Sequence, residues 1–174
     1  YDVLGDVVCG GFAAPMRKSA GSKVVVVLSE ELMAAYAANR IAAACTLFAK
    51  NGIVLAGLVV NLKNNQADLA PIQRFADAIG TRVLGVLPRD PLVCEAELYR
   101  QCIVDYAPES PVAVGIAAIV DRVLALDPAE LSPPTPLPDT DVRRIMRGFM
   151  LDGPPPPPPP LNERVSAITE WSQI

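Results

Sequence analysis

The sequence predicts an α/β fold built on a doubly wound, mostly parallel sheet. Three apolar runs carry that prediction: Val24–Leu28 (VVVVL), Val54–Asn61 (VLAGLVVN) and Val83–Pro88 (VLGVLP). None alternates polar with apolar residues. Continuous β-branched runs of this length suit strands covered on both faces, as parallel strands are. Segments of helical periodicity separate the runs, and a β-α-β-α-β order implies right-handed crossovers. In such sheets ligands sit at the carboxyl ends of the strands, so the residues just after each run matter most.

Each connecting segment reads as a helix for its own reason. Ser29, followed by Glu30 and Glu31, reads as an N-cap with acidic first-turn residues. The alanine-rich stretch that runs on to Lys50 carries Ile41, Cys45 and Phe48 on one face, and Asn51-Gly52 ends it. Leu69, Ile72, Phe75, Ala76 and Ile79 form a second stripe, closed by Gly80. Ile116, Ile119, Val120 and Val123 form a third.

From about Asp127 the composition shifts, and twelve of the eighteen prolines fall in the last third. The chain therefore divides into an α/β region over 1–127, a second region over 128–153 and a proline linker with its tail over 154–174. The second region reads as an extended segment and then an amphipathic helix over Asp139–Met150, expected to pack on the domain or on a partner subunit. Val142, Ile145, Met146, Phe149 and Met150 lie on one side of that helix, and Arg143, Arg144 and Arg147 on the solvated side. Pro154–Pro160 predicts a polyproline II rod, roughly 22 Å long at about 3.1 Å per residue. It reads either as a tether for Leu161–Ile174, with Trp171 as an anchor, or as a variable tail.

Composition removes several function classes. The net charge of −4 gives no basic footprint, so no nucleic-acid partner is expected. Histidine is absent, which excludes Ser–His–Asp and Cys–His chemistry within the chain and removes the commonest zinc ligand. The four cysteines, at 9, 45, 94 and 102, form no CxxC pair. No signal peptide or span-length apolar run is visible, so a cytoplasmic protein with reduced thiols and no membrane partner is expected. The chain opens on Tyr1 in what reads as a strand end, and is expected to be a piece of a longer protein.

The opening stretch, YDVLGDVVCGGF, carries the chemistry. Asp2 ends a buried strand, and Gly5 follows three residues later. An aspartate so placed can hold a water of a bound Mg²⁺, and the glycine can offer its N–H to a terminal phosphate. Asp6 is placed to orient an attacking water. A DxxG pattern also recurs by chance, but here Cys9 follows on the same loop, with Gly10 and Gly11 free to bond the sulfurs of a cluster. Movement at Asp2–Gly5 would be felt at Cys9 within one short segment. Of the other cysteines, Cys45 reads as core, and Cys94 and Cys102 as small buried hydrophobes flanking a helix rather than ligands.

With these residues the stretch YDVLGDVVCGGFAAP resembles the second switch segment of the nitrogenase iron protein family, which the light-independent protochlorophyllide reductase iron protein shares. The resemblance extends to about Gly153, through LMAAYAANRI, Val60-Asn61 and Leu87-Pro88-Arg89-Asp90. It implies a P-loop NTPase type of fold, with 1–127 the C-terminal part of a nucleotide-binding domain. It implies one [4Fe–4S] cluster shared across a homodimer, with Cys9 a ligand and the second cysteine upstream. It implies Mg·ATP held by Asp2, Asn61, Pro88, Asp90 and Glu97, with Gly5 and Asp6 serving hydrolysis. Its partners would be a larger catalytic metalloprotein and an electron donor such as ferredoxin or flavodoxin. The residues alone also allow Asn61 and Pro88-Arg89-Asp90 to be turn residues. Where the family tends to carry polar or aromatic base-pocket residues, this chain has Cys94, Val112 and Ile116. A cluster-free partitioning-type ATPase of the same broad fold is the alternative of another class. The 174 residues alone are expected to be inactive.

Overall fold

The computed structural model describes residues 23–148 and, near the start of the chain, Asp2. One parallel sheet runs in the order β1 (Lys23–Leu28), β2 (Val54–Asn61), β3 (Val83–Leu87). These are the three apolar runs. Strand β3 stops before Pro88, which has no N–H to give to a further ladder bond. The register pairs Leu28 with Val60 and Val60 with Val86, and slips once in each ladder, at Val24/Val25 and at Leu58/Val59. Next to the second slip, a Cβ on Gly57 would sit 2.8 Å from the Arg82 carbonyl and 2.6 Å from Leu84 Cγ. A side chain there would push β2 off β3.

Helix α1 (Leu32–Leu47) connects β1 to β2, and α2 (Ala70–Ala78) connects β2 to β3. After β3 come α3 (Pro91–Leu98), a single turn α4 (Ile103–Tyr106), α5 (Pro111–Ala125) and α6 (Asp139–Met146). Side chains alternate across a strand, so each strand feeds two cores. Val26, Leu28, Leu58 and Val60 pack with Ala38, Ile41, Cys45, Ile72 and Phe75 of α1 and α2, and with Val142 and Ile145 of α6. Val59 and Leu84 face the other way, onto Ile119 of α5, with Val25 and Val123 beside them. A sheet with helices on both faces explains why its strands are apolar throughout.

Local signals set the helix ends. Asp90 caps α3 by accepting the Leu92 N–H at 2.9 Å, and Ser110 caps α5 through the Ala113 N–H at 3.2 Å, each ahead of a proline. Gly80 closes α2 with φ +74°. Helix α1 departs from expectation. It starts at Leu32 without a side-chain cap, so Ser29 is not its N-cap and Glu30 and Glu31 precede its first turn. It ends at Leu47, and a 3₁₀ turn over Ala49–Asn51 leads to Gly52. Val120 also departs, being 48 % exposed. The buried face of α5 centres on Ile119, and the next residue is turned about 100° away from it.

Past α5 the proline-rich segment is stitched onto the same domain. Thr46 Oγ1 donates to the Pro134 carbonyl at 2.7 Å, and the Thr135 N–H donates to the Ile79 carbonyl at 2.9 Å. The buried Asn39 side chain donates to the Leu137 carbonyl at 2.7 Å and accepts the Leu137 N–H at 2.9 Å. The chain then enters α6, which lies against α1 and α2. Arg143 is exposed, as expected of the solvated side, and from there reaches Tyr36 Oη at 3.2 Å. Phe149 and Met150, expected on the buried side of this helix, lie outside the described residues, as does the proline run. Among the described residues no helix is long and apolar enough to cross a membrane.

Candidate functional site

The loops that leave the carboxyl ends of β1, β2 and β3 are laced together. The Glu30 carboxylate, just past β1, accepts the N–H groups of Lys63 and Asn64 at 3.0 and 2.9 Å. Burial opposes the charge on Glu30, but these N–H groups, that of Glu30 itself and the Lys63 ammonium outweigh it, and the carboxyl is held below its ordinary value. Glu31 pairs with Lys63 Nζ at 2.6 Å. On the other side Asn65 clamps one residue of the β3 loop from both ends. Its Oδ1 accepts the Arg89 N–H at 2.7 Å, and its Nδ2 donates to the Arg89 carbonyl at 2.9 Å. The Leu62 N–H adds a bond to the Leu87 carbonyl at 2.9 Å. Asn65 was not singled out by sequence, and Glu30 was read only as a first-turn residue of the following helix; no local pattern marks the part either plays here. Each acts on a loop that only the parallel order of the strands brings alongside.

Over this edge lies a cavity of about 670 Å³, within the range of roughly 300–1,000 Å³ common for small-molecule sites. Its lining brings together Asn61, Pro88 and Asp90 with Cys94, Val112 and Ile116. Aliphatic side chains from β1, α1, α3 and α5 make most of its wall. Asn61 is exposed, and its side chain makes no hydrogen bond among the described residues. Asp90 serves two ends, capping α3 with one oxygen while lining the cavity. The turn reading and the binding reading of this residue are therefore compatible.

Other expected residues fall elsewhere. Glu97 is exposed on α3 and does not line the cavity; one position before it, Ala96 takes the buried side of the helix. Cys94 lies inside α3 rather than flanking it, and both Cys94 and Cys102 are exposed, against the expectation of burial. Asp2 is exposed. Gly5, Asp6 and Cys9 lie outside the described residues. Among the described residues, no group of three or more acidic, histidine or cysteine side chains is placed to hold a metal.

Among solved structures, the MinD cell division protein of Aquifex aeolicus superposes with a TM-score of 0.52 at 16 % identity, covering 70 % of this chain and 50 % of that one. The Pyrococcus furiosus cell division ATPase MinD gives a TM-score of 0.50 at 23 % identity, covering 60 % and 43 %. The likeness is one of fold, and this chain spans about half the length of those proteins. The family model described as 4Fe-4S iron sulfur cluster binding proteins, NifH/frxC family, matches residues 1–152. That match runs from the DxxG segment through Cys9, across all three strand ends and past α6, and so the chain belongs to the NifH/frxC family of 4Fe-4S iron–sulfur cluster binding proteins.

Proposed function

We propose that the full-length protein is the ATP-dependent electron-transfer subunit of a nitrogenase or a nitrogenase-like reductase such as light-independent protochlorophyllide reductase. The observation that carries this reading is the cavity at the strand ends, which gathers Asn61, Pro88 and Asp90 in a chain whose family match takes in Asp2 and Cys9. The cavity is large enough for a nucleotide base, with a largely aliphatic wall and the Asn61 amide among its lining. Asn61 would meet the base edge, Pro88 would border it, and Asp90 has a second carboxylate oxygen to offer a sugar hydroxyl. The Asn65 clamp and the Glu30 bonds would hold these loops ready before nucleotide arrives. Glu97, outside the cavity, would at most act from its rim.

In the opening segment, Asp2 would hold a water of Mg²⁺, Gly5 would offer its N–H to the terminal phosphate, and Asp6 would orient the attacking water. Cys9 would supply a thiolate to a [4Fe–4S] cluster shared by two subunits. When bound, that cluster supplies one-electron transfer. Loss of the terminal phosphate would release the Gly5 end of a segment whose other end is Cys9. The partners would be a ferredoxin- or flavodoxin-type donor and a larger catalytic metalloprotein. A cluster-free partitioning ATPase would share the fold, but has no use for Val7-Val8-Cys9-Gly10-Gly11.

The test is reconstitution of the full-length protein with iron and sulfide in the absence of air. The expected product is a brown, oxygen-sensitive homodimer, and Cys9→Ala is expected to lose its iron while still binding Mg·ATP. A colourless wild-type protein retained by lipid vesicles would favour the partitioning ATPase. Unchanged iron in Cys9→Ala would overturn the assignment of Cys9.

A further inference from the structure

We infer that Arg122 guards the outer edge of β3, and that without its guanidinium this edge pairs with β3 of a second copy of the chain. The ladder decides which backbone groups face outward. The Leu87 carbonyl accepts the Leu62 N–H at 2.9 Å, so Leu87 turns its groups toward β2. Alternate residues of a strand point their N–H and C=O to opposite edges. Gly85 therefore faces β2 as well, while Leu84 and Val86 face away. Among the described residues β3 pairs only with β2, so its other edge presents the N–H and carbonyl groups of Leu84 and Val86.

One of these groups is already taken. Arg122 Nη1 donates to the Leu84 carbonyl. Close packing of α5 on β3 puts the guanidinium there. A Cβ on Gly85 would stand 2.7 Å from Ile119 Cδ1 and 3.7 Å from Arg122 Nη1, so the missing side chain lets the helix come this near. Arg122 follows Ile119 by nearly one turn and reaches from the sheet face to its rim.

The rest of the edge suits an added strand. Val83–Leu87 is apolar and uncharged. Val86 is 36 % exposed, and a groove of about 230 Å³ beside it is lined by Val60, Leu69, Ile72 and Val83. Such an edge is a template for pairing unless a charge or a covering group blocks it. Two copies match about a twofold axis. Run antiparallel, Leu84 of one copy would face Val86 of the other, and each such pair would exchange two hydrogen bonds. Arg122 fills the Leu84 acceptor and sets a positive charge where the second strand would lie.

The experiment is sedimentation velocity of the full-length protein over a range of concentrations, read beside hydrogen exchange of the Val83–Leu87 segment. Arg122→Ala is expected to form a species of twice the native mass as concentration rises, and the Val86 amide is expected to exchange more slowly in that species. Adding Val86→Lys to Arg122→Ala returns a charge to the edge at an exposed position, and is expected to restore the native mass. Native mass for Arg122→Ala at every concentration overturns the inference. Association that Val86→Lys leaves in place also overturns it, because some surface other than this edge is then responsible.

Discussion

Cys45 is fully buried on α1, and burial pushes its thiol from 9.0 up to about 12, against a smaller opposing effect of its own backbone N–H. The sign of the linkage follows directly. The folded protein keeps this proton where the unfolded chain releases it, so the contribution to stability is complete below pH 9 and is lost as pH rises toward about 12. Urea unfolding is expected to give a lower free energy at pH 10.5 than at pH 8. Cys45→Val should flatten that slope. Tyr106, raised to about 12 by its bond to Glu95 at 2.7 Å, titrates in the same window, and Tyr106→Phe separates the two. The stripe Ile41–Cys45–Phe48 made the burial of Cys45 legible in the sequence, because period and apolarity agree there. Cys94 and Cys102 were misread because cysteine composition says nothing of which way a short helix turns. Ala96 is the one fully buried residue of α3, with Leu92 and Val93 packed beside it.

Among the elements, the strands were the most legible and the helix starts the least. Three β-branched runs became three strands within a residue of their expected ends. Ser29 looked like a cap because Ser-Glu-Glu is a common start, but Glu30 is drawn to the β2 loop and α1 begins only after it. Asn39 shows the same limit. It sits in an alanine-rich helix where nothing nearby explains an amide, and its partner Leu137 is 98 residues away. Asn39→Ala would leave both the N–H and the carbonyl of Leu137 unpaired against the helix. The expected loss is about 2 kcal/mol, read as a lower urea midpoint at unchanged m-value. An unchanged midpoint would mean that the two Asn39–Leu137 bonds contribute nothing to folding.

For the molecule as a whole, the family resemblance pointed to Asn61, Pro88 and Asp90, their place at the strand carboxyl ends agreed with it, and all three line one cavity. The lacing by Glu30 and Asn65 escaped notice because it belongs to the strand order, not to any stretch of sequence. The main core, too, is a property of the whole, since α6 supplies part of its wall. Val142 is fully buried there. Val142→Ala is expected to cost about 2 kcal/mol and to lower a single cooperative transition. A separate early transition confined to α6 would show instead that the helix is an appendage.

The position of α6 has a consequence for biosynthesis. A nascent chain leaving the ribosome has β1, α1, β2 and α2 in hand long before Val142 and Ile145 emerge to seal the apolar surface those elements share. In that interval the surface is open to chaperones and to self-association. A stall or premature stop ahead of Asp139 would release a chain with its greasy side uncovered, which marks it for capture by quality control.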